Sequence, residues 1–323
     1  MERVTTKRVI LGIALVVLFN YLLAVWWSVE PDPIDTASLR AQEGEVVGYA
    51  TATAAILVGQ GLLDKPGGFL SNDVMPPSVL MDNMPAFEFG ALEQLRDLSL
   101  VLRRDFARSQ SQSTEDTNLQ IAQPKFNIDR RSWMFPRAEA EYQAGIKALI
   151  RYRDGIMDPK NEDAQFYARA DNLVSYLEQV EKRLGSLSQR LAASVGQDRV
   201  NTDLAGDEVA RQSTELLLEH RVRTSWWKID DVFYEARGHC WALLAFMRAI
   251  EQDFAPVLDK KNARVSLQQI IRELESTQDT VWSPIILNGG GFGLVANHSL
   301  VMANYISRAN AALIDLKQLL TQG

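Results

Sequence analysis

The chain has a single cysteine, Cys240, in 323 residues. An intramolecular disulfide is therefore impossible, and so is a cysteine-based zinc cluster. Histidine is nearly as scarce, with three in all and no His-Glu-x-x-His string, the arrangement that places two zinc ligands on one helix face. Positive charge is also short: 34 Lys and Arg against 41 Asp and Glu leave a net charge of −7. A nucleic-acid partner would need a concentrated basic face, so none is expected. There is no Gly-x-Ser-x-Gly elbow and no phosphate-loop lysine, and with them go two common catalytic layouts. No internal repeat is visible, nor any apolar–polar alternation long enough to demand a sheet. Disorder is excluded by a composition that is 46% hydrophobic and 23% charged.

Long apolar runs are scarce too, but the one present is decisive. Val9 to Trp27 reads "VILGIALVVLFNYLLAVWW", 19 residues without a charge. As a helix it spans about 28 Å, close to a hydrocarbon core of about 30 Å. Trp26 and Trp27 end it with rings that favour a membrane interface. Arg3, Lys7 and Arg8 precede it, whereas Glu30, Asp32, Asp35, Glu43 and Glu45 follow with Arg40 as the only cation before residue 50. That bias predicts a cytoplasmic N-terminus and a periplasmic body, anchored in a bacterial inner membrane. A cleaved signal peptide would want a shorter apolar stretch and a small-x-small site; "AVWWSVEPDP" offers bulky rings instead.

The organisation expected is a cytoplasmic tail over 1–8, a transmembrane anchor over 9–27, a spacer over 28–44 stiffened by Pro31 and Pro33, and an all-α, bundle-like domain over 45–323, with room for a sub-boundary near 155–162. Apolar periodicity predicts helices over about 45–63, 88–108, 137–154, 162–194, 208–222, 228–254, 264–280 and 294–321. Connections at 64–86 and 109–136 are long for a compact domain, a feature of functional or mobile loops. Leu173, Leu177, Val180, Leu184, Leu187 and Leu191 step by three and four, a narrow helix-pairing seam for one partner helix within or between chains.

Each chemically suggestive feature has a plainer structural explanation. "NGGGFG" places Gly289, Gly290, Gly291, Phe292 and Gly293 together, but its spacing is wrong for a dinucleotide fingerprint and its neighbours are helical. It reads as a close-packing turn or hinge, with an anion contact at the following helix as the alternative. Asp231, Glu235 and His239 share a helix face, yet the di-iron spacing, Glu-x-x-His twice over, is absent. A solvated or paired face is the expectation. His298 and Cys240 fall on apolar stripes and read as core. No cofactor, metal or catalytic residue is assigned. The candidate partner or ligand surface comprises Asn72, Asp73, Met75, Asp82 and Asn83 of the long loop, Gly289–Phe292, and the aromatic pair Trp226 and Trp227.

Three strings, "LDKPGGFLSNDVMPPSVLMDNMPAFEFG", "RRDFARSQSQSTEDTNL" and "SPIILNGGGFGLVANHSLVMANYISRANAALIDLKQLL", resemble the bacterial domain-of-unknown-function family 2333. The resemblance runs from about residue 45 onward and implies single-pass envelope proteins of Gram-negative bacteria; it supplies no activity. The role expected is binding rather than catalysis. An envelope scaffold or accessory subunit would meet a protein partner, or a second copy, through the seam and the 64–86 loop, with the bilayer held by Val9–Trp27. A ligand-sensing domain would instead need a cavity lined by Phe69–Pro85 and Gly289–Gly293. A cell-wall-directed enzyme would need at least two of Asp73, Asp82, Glu235, His239 and His298 to converge in one cleft.

Overall fold

The computed structural model describes residues 2–35, 39, 46–109, 114–161, 163–200, 219–283, 285–291 and 293–322. α1 (Glu2–Trp27) is the first helix, and Trp27 at its end packs against the core. Its Thr6–Trp27 portion has a mean hydropathy of 2.5, none of it is buried, and it is long and apolar enough to cross a membrane. The body is all-α: α2 (Tyr49–Asp64), α3 (Asn83–Val101), α4 (Thr117–Phe126), α5 (Ala138–Met157), α6 (Ala170–Ala192), α7 (Ile229–Asp253), α8 (Ala255–Lys260), α9 (Arg264–Ser276) and α10 (His298–Gln322). A π-turn over Leu102–Phe106 prolongs α3. The only strands among the described residues are the antiparallel pair β1 (Gln197–Val200) and β2 (Glu219–Val222), with Gln197 opposite Val222. Most of the helix expected over 208–222 lies outside the described residues; its last four positions are strand, because β1 takes up their backbone groups.

One core runs from Ala50 on α2 to Leu320 on α10. At its centre α3 crosses α7, and the crossing depends on two glycines. A Cβ on Gly90 would lie 2.0 Å from the Glu235 carbonyl oxygen, and one on Gly238 would lie 2.0 Å from that of Phe87. Only glycine allows backbone to meet backbone so closely. α2 packs on α5 and α7, α4 on α5, and α9 on both α7 and α10.

Two sequence expectations change here. The connection expected over 109–136 contains α4, capped by Asp116, whose carboxylate accepts from the backbone N–H groups of Asn118 and Leu119. Leu119, Ala122 and Phe126 bury its one apolar face. Pro124 sits in the last turn, where only two residues of helix remain to follow it. The second change concerns the seam. Leu173, Leu177, Val180, Leu184, Leu187 and Leu191 are all at most 2% exposed, packed on α10 of the same chain, where Ala309, Leu313, Leu316 and Leu320 are equally buried. An apolar stripe on α10 matches the stripe on α6, so nothing is left for a partner chain. Recruitment through the seam is withdrawn.

The residues after α1 are fastened along α7. Arg237 Nε donates to Glu30 Oε2 at 2.7 Å, Trp241 Nε1 to the Asp32 carbonyl at 3.0 Å, and Arg248 Nη1 to the Ile34 carbonyl at 2.8 Å. Residues further from α1 meet residues further along α7, so the N-terminus of α7 points back toward the exit of α1. Asp253 marks the opposite end, where it accepts from Gly48 N, Thr51 N and Thr51 Oγ1 and caps α2 from 202 residues away. The C-terminus of α2 therefore returns to the exit end. The N-termini of α3, α5 and α10, and the C-termini of α6 and α9, lie there as well.

Candidate functional site

The exit end holds an open cleft of about 390 Å³, lined by Trp27, Asn72–Pro76, Ser78, Trp133, Arg137 and Glu139. The chain leading into it is fixed from the sequence "DKPGGFLS". Lys65 and Glu88 form an ion pair of 2.7 Å with both side chains fully buried. Lys65 Nζ also donates to the Gly68 carbonyl, while Glu88 accepts from Leu70 N, Ser71 N and Ser71 Oγ at 2.6–2.8 Å. Burial pushes the Glu88 carboxyl up, against the opposing pull of Lys65 and these donors. Gly67, at φ 83°, leaves room for the Trp27 indole, whose Cγ would lie 2.6 Å from a Cβ there. Asn72 joins the two walls: its Nδ2 donates to the Ser132 carbonyl at 3.1 Å and to Glu139 Oε2 at 2.8 Å, and its buried Oδ1 has no protein partner. Burial works against the Glu139 carboxylate, yet the bonds from Asn72, its own backbone and Arg137 outweigh it and hold its pKa below the usual value. Arg130 ties the second wall to the first, with Nη1 donating to the Pro85 carbonyl at 3.0 Å and its guanidinium over the Phe89 ring.

A second open cleft, also about 390 Å³, runs between α3, α6 and α7 and contains Asp97, Lys182, Arg183, Arg190, Glu235 and His239. Its two arginines are matched to carboxylates. Arg183 makes a two-pronged contact with Asp97 at 2.7 and 3.0 Å and reaches Glu93; Arg190 grips both oxygens of Glu235 at 2.5–2.6 Å. His239 forms the floor. Burial, then the nearby Arg183 and Arg190, lower its pKa to about 3, so the imidazole is neutral. Its Nδ1 lies 3.4 Å from Gln94 Nε2 and its Nε2 3.9 Å from Glu235 Oε1. Glu235 and His239 thus share a cleft, but one is held by Arg190 and the other faces Gln94. These two residues meet the convergence that a cell-wall-directed enzyme requires, each already engaged by another side chain. Among the described residues no group of three or more His, Cys, Asp or Glu could hold a metal ion.

Asn72, Asp73 and Met75 line the exit cleft. Asp82 is the N-cap of α3, accepting from Asn83 N at 3.0 Å, and Asn83 is the first residue of that helix. Gly289 closes a turn: its N–H donates to the Ala296 carbonyl, and a Cβ there would meet the Val295 carbonyl oxygen at 1.9 Å. Gly290 and Gly291 are exposed, and Phe292 lies outside the described residues. The N-terminus of α10 is served from within, by Asn297 Oδ1 accepting from Leu300 N and by the Leu287 carbonyl accepting from His298 N; this disfavours the anion contact. Trp226 and Trp227 stand edge to face at 4.9 Å, both exposed. Neither cleft is lined by the glycine stretch. Sequence reasoning missed the Lys65–Glu88 pair, the Gly90–Gly238 crossing, the Arg237 clamp and the Arg183–Arg190 row. The two helix-interior glycines were a usable signal for the crossing; the others join residues far apart in sequence.

A family model described as an uncharacterized protein conserved in bacteria, DUF2333, matches residues 2–323. No curated protein and no solved structure matches the chain.

Proposed function

We propose, starting from a chain that belongs to this uncharacterized bacterial family, that it is a single-pass membrane protein whose helical body works by binding beside the bilayer. A helix apolar on all sides and uncovered by its own chain needs an apolar solvent, and the basic residues before Val9 favour a cytoplasmic N-terminus. The body then projects from a bacterial inner membrane into the periplasm. Its role is that of an envelope scaffold or accessory subunit. The observation that carries this reading is the attachment of Glu30, Asp32 and Ile34 to α7: the body is mounted at the end of the span instead of swinging on a tether. A partner meets it at the exit cleft, where Asp73, Val74 and Met75 are exposed.

The test is in-cell photocrosslinking of the full chain, with the reactive residue at Asp73 or Met75 and, as control, at Ile121 on α4. A discrete adduct with one membrane protein is expected from the cleft positions and not from Ile121. Absence of any protein adduct from the cleft, with the chain present in the membrane, rejects the scaffold reading.

A further inference from the structure

We infer that the exit end of the body is itself a membrane-interface surface, set into the headgroup layer of the leaflet that α1 leaves. The inference rests on α1 spanning a bilayer and adds a second contact between the protein and that bilayer. It comes from where the exposed aromatic side chains lie. Outside α1, five Trp and Phe side chains are exposed among the described residues: Phe135 (96%), Trp282 (94%), Trp227 (79%), Trp226 (68%) and Trp133 (53%). All five are at one end.

Each can be placed by a contact. Trp133 lines the cleft that Trp27 closes, and Phe135 follows it, just before the N-terminus of α5. Trp226 and Trp227 immediately precede α7, whose N-terminus points toward α1. Trp282 follows the segment Thr277–Asp279, whose carbonyls accept from Arg237, the same residue that binds Glu30. Leu80 and Leu294, 81% and fully exposed, belong to the loops entering α3 and α10 at this end. Elsewhere on the body the exposed large apolar residues are isolated aliphatics and Met157, with no Trp or Phe among them. Single exposed aliphatics are ordinary; a grouped aromatic surface beside a span is not. Trp is the side chain most favoured at headgroup depth, where its ring is apolar and its N–H stays hydrated. Exposed Lys228, Arg131 and Arg137 stand among the rings, but so do Asp73 and Asp82. Net charge therefore decides little, and the rings themselves make the contact.

The experiment uses the full chain in proteoliposomes with single spin labels at Leu80→Cys, Phe135→Cys, Leu18→Cys within α1, and Val265→Cys at the far end. Cys240 is fully buried and burial pushes its thiol up to about 12, so it does not compete for the label. Collision with oxygen and with a water-soluble nickel chelate reports depth. Labels at 80 and 135 are expected at about 5 Å below the phosphates, with a several-fold loss of nickel collision relative to 265. The result should be the same in phosphatidylcholine and in phosphatidylethanolamine with a minor fraction of phosphatidylglycerol. If Leu18→Cys is deep while both loop labels match Val265→Cys, the inference falls and the single-pass reading stands. A shallow Leu18→Cys removes both. Loop labels shielded from both reagents would mean cover by protein, which also overturns it.

Discussion

Glu88 shows how much one buried carboxylate can organise. It holds Lys65, two backbone N–H groups and a hydroxyl, and so shapes the loop on which Trp27 rests. Replacing it with Gln leaves a buried ammonium without its counter-charge, a change that costs about 3–5 kcal/mol. Thermal denaturation of Glu88→Gln should show that loss, and Lys65→Met in the same chain should recover part of it. His239 gives a pH prediction with a definite sign. Its pKa falls from 6.5 to about 3 on folding, so between those values the unfolded chain takes up a proton that the folded chain refuses. Stability from this group is present above pH 6.5 and is lost as pH falls through the window. Relative to wild type, His239→Gln should lose less stability between pH 6.5 and 4; an identical slope in both would refute the assignment.

At the scale of elements, the α3–α7 crossing is the contact with least tolerance. Gly90 and Gly238 each face a carbonyl where a methyl group would stand 2.0 Å away, so Ala at either forces two central helices apart. Overpacking of this kind costs about 1–3 kcal/mol, although Ala favours an isolated helix over Gly by about 1 kcal/mol. Urea denaturation of Gly238→Ala should therefore show net destabilisation; a gain in stability would mean the helices have room. The pattern of apolar steps that located α3 and α7 is blind to this, since it reports which face is buried and not how near the facing backbone comes. The same blindness left the α6 seam open: a strict heptad stripe specifies a helical partner but not whose chain supplies it.

For the whole molecule, the prediction concerns the mounting of the body on α1. Spin labels at Val29→Cys and Met134→Cys, both exposed, should give one narrow distance distribution in the full chain. Arg237→Ala removes the bond to Glu30 and the three bonds to Thr277, Gln278 and Asp279, and should broaden it. A broad distribution in the wild type would mean that the body swings freely and would remove the support for a fixed docking geometry. The segment read as a spacer from Pro31 and Pro33 is attached to the body at Glu30, Asp32 and Ile34. Its attachment was invisible because Arg237, Trp241 and Arg248 meet it across more than 200 residues.

The sequence by itself determined the apolar span, the all-α class and most helix positions, because these depend on periodicity and on unbroken apolar length, which neighbouring residues settle among themselves. Of the loop residues it named, Asn72, Asp73 and Met75 line one cleft. Only the tertiary structure decided that α6 pairs with α10, that Glu88 is buried with Lys65, and that Trp133 shares a cleft with Trp27. Those outcomes depend on which helix ends return to the same level. That is set by the summed packing of the core, and no local pattern carries it.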